Sequence, residues 1–136
     1  MTTNVRVSPF EASFLHVPAV GTVASVSSAA PSTKANVILR SFSATLIAGA
    51  AAEKADVLIR DGASGVGTIL KRIPLNCPAG GKDRVVQSAI NLPMTRGNVC
   101  TIEFAAAPTG TGFEAVEMTT IRTDQISTSA QYGVNG

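Results

Sequence analysis

Four residues in one short loop have the types and spacing that could hold a phosphate: Gly62, Gly65, Gly67 and Thr68, within ADVLIRDGASGVGTILKRI at residues 55–73. In a P-loop, glycines let backbone N–H groups wrap the anion, a lysine reaches the outer phosphates, and Ser/Thr meets the metal. Gly62 and Gly67 have the required spacing, but Thr68 stands where the lysine must be. The run that follows, Ile69-Leu70-Lys71-Arg72-Ile73-Pro74, is β-prone and closed by proline. No helix N-terminus would then face an anion. The glycines are expected to form a turn between antiparallel strands, where positive φ carries no steric cost.

Other chemistries fail on inventory. His16 is the single histidine, so any Ser-His-Asp or Cys-His arrangement would depend on it alone. Among the carboxylates, Glu114 and Glu117 are offset by three and Asp56 and Asp61 by five. On strands those offsets place each pair on opposite faces, whereas glycoside hydrolysis needs two carboxylates across one cleft. Cys77 and Cys100 form no CxxC pattern and are too few for a zinc site. Cys100 alternates with Ile102 and Phe104 and is expected as a buried thiol; a Cys77–Cys100 bridge stays open. The expectation is a protein that is not an enzyme, with no catalytic, metal or cofactor site.

Composition narrows the class further. Charged residues make up 15% of the chain, against about 25% in typical soluble domains. Few charges leave little to keep copies apart, which favours a surface occupied by partners. The net charge is +2 and the basic residues are scattered, with Lys71-Arg72 the longest run. There is no Trp and one Tyr, so the basic cluster with stacking aromatics of a nucleic-acid binder is missing. No basic segment leading into an apolar core opens the chain, and no run of 18 apolar residues occurs. A soluble protein made in a cytosol, with no nucleic-acid or membrane partner, is expected.

The elements that must position these groups read as strands. Six runs alternate with turn formers: Val37–Ile47, Ala55–Arg60, Val66–Pro74, Arg84–Ile90, Val99–Ala106 and Phe113–Thr123. Spacing near ten residues with no long helical period predicts an all-β, antiparallel β-sandwich of jelly-roll type. In the first run Ile38, Phe42, Ala44 and Leu46 are expected on the core face. Residues 1–36 are broken by Pro9, Pro18 and Pro31 and lack sustained periodicity. They are expected as an extended N-terminal arm, or at least as an N-terminus with one edge strand. Residues 37–123 form the sandwich, and 124–136 a short polar C-terminal tail.

The order DVLIRDGASGVGTILKRIPLNCPAGG, VVQSAINLPMTRGN and CTIEFAAAPTGTGFEAVEMTTI resembles the small all-β virion proteins of tailed bacteriophages. The resemblance covers about residues 44–121, and the chain departs from the pattern at Lys71 and Cys77. It implies a head decoration or cement protein on the capsid surface, made in the host cytoplasm. Its partners would be the major capsid protein and further copies of itself in a homo-oligomer. Phe10, Phe14, Leu15 and Val17 in the arm are the expected partner-binding residues. The alternative is a tail-associated carbohydrate- or receptor-binding module.

Overall fold

In the computed structural model residues 10–123 are described, and they contain no α-helix. The expectations for residues 1–9 and for the tail at 124–136 lie outside the described residues. Among the described residues nine strands form: β1 Phe10–His16, β2 Ser25–Ser27, β3 Val37–Ile47, β4 Glu53–Asp61, β5 Thr68–Cys77, β6 Lys82–Gln87, β7 Leu92–Pro93, β8 Cys100–Phe104 and β9 Phe113–Arg122. One sheet has the order β1-β9-β3-β6, with β7 also pairing with β3. The other has the order β2-β8-β4-β5. Every pairing is antiparallel. Among the described residues, no helix is long and apolar enough to cross a membrane.

The two sheets close over one core, because alternate side chains of each strand point to the same side. Phe42, Ala44 and Leu46 of β3 and Val116 and Met118 of β9 meet Val57 and Ile59 of β4 and Cys100, Ile102 and Phe104 of β8. Ile38 does not join them. A bulge between Leu39 and Ser41 shifts the register, so Val37 and Leu39 are buried and Ile38 is only half-buried. One extra residue exchanges the faces of everything before it.

The segment expected as an arm enters the sheets from residue 10 onward. β1 pairs with β9 along its whole length, and β2 pairs with β8. Without β1, the edge of β9 would offer a row of unpaired backbone groups. Phe14 and Val26 pack against the core from these two strands. Residues 17–24 cross from one sheet to the other around one end of the sandwich.

Candidate functional site

The β4–β5 hairpin folds its glycine loop back over the outer face of β8. Gly62 and Gly65 take positive φ, of 129° and 75°. Gly67 is required for a different reason: a Cβ there would stand 2.6 Å from the Gly62 carbonyl carbon. The N–H groups of all three loop glycines and the Ser64 hydroxyl are used within the protein. Gly62 N–H donates to Val99 O at 2.9 Å, and Gly67 N–H to Ala63 O at 2.8 Å. Gly65 N–H donates to Glu103 Oε2 at 3.1 Å, and the Ser64 hydroxyl donates to Glu103 Oε1. The anion in this cradle is therefore the chain's own carboxylate.

Glu103 collects two more donors, Arg60 Nε at 2.5 Å and the Ser25 hydroxyl at 2.9 Å. Burial pushes its carboxyl up, but the Ser64, Gly65, Arg60 and Ser25 hydrogen bonds outweigh burial and hold it below the usual range. Asp61, at the other side of the loop, accepts from Thr95 N–H at 3.0 Å and Asn98 Nδ2 at 3.1 Å. There too burial raises the carboxyl, and bonds from the Thr95 hydroxyl, the Thr95 amide and Asn98 lower it further than that. Arg72 bridges Asp56 at 3.0 Å on the exposed hairpin surface. Both cysteines are free and buried.

A second acidic pair sits at the end where residues 17–24 cross. Glu114 of β9 is fully buried, and Glu53 of β4 is nearly so. Ala24 N–H donates to Glu114 Oε1 at 2.9 Å, while Oε2 has no hydrogen-bond partner among the described residues. Glu53 Oε2 accepts from Thr109 N–H at 3.0 Å and from the Thr109 hydroxyl. Burial pushes the Glu114 carboxyl up to about 7; the Ala24 N–H opposes this and the nearby Glu53 charge adds to it. Both carboxylates are enclosed, at 0% exposure for Glu114 and 7% for Glu53. Glu114 does point away from Glu117, as strand alternation requires: Glu117 lies exposed on the outer face.

The expected partner-binding residues separate. Phe10 opens β1 opposite Arg122. Phe14 is half-buried and packs against the core. Leu15 is 66% exposed and Val17 52%, and Val20 and Val23 continue the exposed apolar run into the crossover. Val66 at the hairpin tip is 81% exposed, with Ile69 and Leu70 of β5 partly so.

A shallow groove of about 240 Å³ opens on the outer face of the β1-containing sheet. Ser41, Ser43, Gln87, Ser88, Glu117 and Thr119 line it, beside exposed Val86. It lies where β6 leaves β3, next to the Leu39–Ser41 bulge and to Ala89, a non-glycine residue at φ 57°. Bulges and strained residues commonly mark positions where a side chain has been re-aimed. Sequence patterning missed this groove because nothing in the run Val85 to Asn91 announces where pairing stops. Among the described residues, no group of three or more His, Cys, Asp or Glu is placed to hold a metal. Compared with protein-family models and with curated proteins, the chain matches none.

Proposed function

We propose that this protein is a structural component of a virus particle, a decoration or cement protein that docks across major capsid protein subunits and stabilises the head. One observation carries the reading. The acidic side chains that are buried close the protein's own loops, while exposed apolar side chains from Leu15 to Val23 run along one continuous segment. A contiguous apolar surface rimmed by polar groups is the mark of a docking face. Setting the two-residue β7 aside, the sheet orders β1-β9-β3-β6 and β2-β8-β4-β5 support the jelly-roll form, an architecture used by capsid and lectin domains alike. Many copies on a symmetric shell would add weak contacts by multivalency.

The experiment is co-sedimentation of purified protein with undecorated capsids of a tailed phage, followed by heating of the particles. Deleting residues 1–30 would remove β1 and β2 from the sheets, so point variants are the cleaner probe. The Leu15→Ser/Val17→Ser/Val20→Ser variant is expected to keep its own Tm within a few degrees and to lose capsid binding at least tenfold. Equal binding by variant and parent would end the docking assignment.

A second reading, a carbohydrate-binding module, rests on the hydroxyl-lined groove with its single carboxylate Glu117. Neutral polyhydroxylated ligands need such convergent donors and acceptors. A glycan-array signal abolished by Glu117→Ala would favour it over the capsid reading.

A further inference from the structure

The carboxyl group of Glu114 is covered by the very segment it holds. Ala24 N–H donates to its Oε1 at 2.9 Å, and Gly21 N–H is bonded to Gly112 O at 2.9 Å, two residues before it on the chain. Water can reach the carboxylate if this crossover lifts. We propose that Glu114 is a proton-operated latch on the N-terminal segment: protonated, it tolerates the closed crossover at residues 17–24, and ionised, it drives that crossover open.

The geometry sets the sign. In the closed form Oε2 has no donor among the described residues, so a second charge-bearing oxygen is buried without compensation. Among the described residues, the titratable groups around it supply no cation to offset that charge. Glu53 faces it from β4 and adds negative charge. On β6, Asp83 stands opposite Leu46, the β3 partner of Glu114, and its carboxylate accepts from Asn76 and Arg84 N–H. Cys77, opposite Glu53 on β5, is a buried thiol. His16, at the end of β1, accepts from Ser25 N–H through Nδ1 at 3.0 Å. The loop at residues 105–112 contains no titratable side chain.

The buried carboxyl titrates near 7 where an exposed glutamate titrates near 4.5, so the closed form binds the proton more tightly than the open form. Opening therefore becomes easier as pH rises from about 4.5 to about 7, and levels off above. The latch does not depend on any capsid, and it can fail or hold whatever the docking partner is.

The test is amide hydrogen exchange followed by NMR, with protection corrected for the intrinsic rate at each pH. From pH 6 to pH 8.5, protection of the Gly21 and Ala24 amides is expected to fall by roughly tenfold relative to Val57 and Ile102. Glu114→Gln, which keeps an acceptor for Ala24 N–H and removes the charge, is expected to abolish that fall. Unchanged protection across the range, or the same fall in Glu114→Gln, overturns the latch. In the parent protein the carboxyl carbon of Glu114 is expected to titrate within about a unit of neutrality. Titration at an ordinary glutamate value overturns the latch even if the variant does not fold.

Discussion

Arg60 Nε meets Glu103 Oε2 at 2.5 Å, and the two side chains are only 14% and 8% exposed. The same arginine donates to Gly67 O at 2.8 Å, so one guanidinium joins the hairpin strand, its glycine loop and β8. An ion pair this enclosed is costly to break from one side, because the surviving charge stays desolvated.

Glu103→Ala is therefore expected to destabilise the protein by about 3 kcal/mol, stranding Arg60, the Ser64 hydroxyl and Gly65 N–H together. Arg60→Met should cost less, since the carboxylate keeps the Ser64, Gly65 and Ser25 donors. Urea unfolding at pH 7 measures both. The acid limb gives a second readout. The folded-state carboxyl is held below 4.5, so its stabilisation is full above that value and disappears as pH falls through the folded one. Glu103→Gln should flatten the acid limb only in part, because Asp61 is lowered too and contributes in the same direction. A variant whose stability ran parallel to the parent from pH 7 to pH 3 would contradict this account.

The loop glycines are not equivalent. At Gly65 an added Cβ meets nothing within 4 Å, so alanine there faces only the left-handed backbone, about 1–2 kcal/mol. At Gly67 the same Cβ would lie 2.6 Å from one Gly62 backbone atom and 2.9 Å from Asp61 O. Backbone cannot step aside as a flexible side chain can, so the two strands must separate and the Glu103 bonds must lengthen with them. Gly67→Ala is expected to be the more destabilising of the two and to shift the Ser64, Gly65 and Glu103 resonances. Thermal melts with amide spectra decide it, and equal Tm losses would place the constraint elsewhere.

How much of this was legible in the sequence depended on whether the information was local. Val37–Ile47 is recovered end to end, because an eleven-residue β-rich run bounded by turn formers needs no partner to be recognised. The Gly62–Gly67 hairpin followed from the missing lysine and the proline-closed run after it. β1 and β2 are not separable from an arm in the sequence, since their strand character comes from pairing with β9, 100 to 112 residues away along the chain, and with β8, 74 to 78 residues away. The exchange of Ile38 for Leu39 in the core had no signal either, because a bulge shows in the partner's register and not in the bulged strand's composition. Nothing in the local sequence marks Glu53 or Glu103; both are buried by loops that fold over them from elsewhere in the chain.

The two thiols provide the last test of how tightly the sandwich closes. Burial, with a smaller contribution from the Asp61 charge, pushes the Cys100 thiol up to about 12, so almost no thiolate forms at neutral pH. Cys77 is likewise buried, at the end of β5 opposite Glu53. Since the thiolate is the reactive form, a disulfide-exchange reagent at pH 8 should label neither residue in the folded protein. Both should react within minutes once the chain is unfolded in guanidinium. Their labelling rate in the native state then reports opening of the core: at low reagent it should follow global unfolding and slow in proportion to added stability. Fast labelling of Cys100 without unfolding would mean that β8 is reachable through the glycine loop, and that Glu103 does not hold that loop shut.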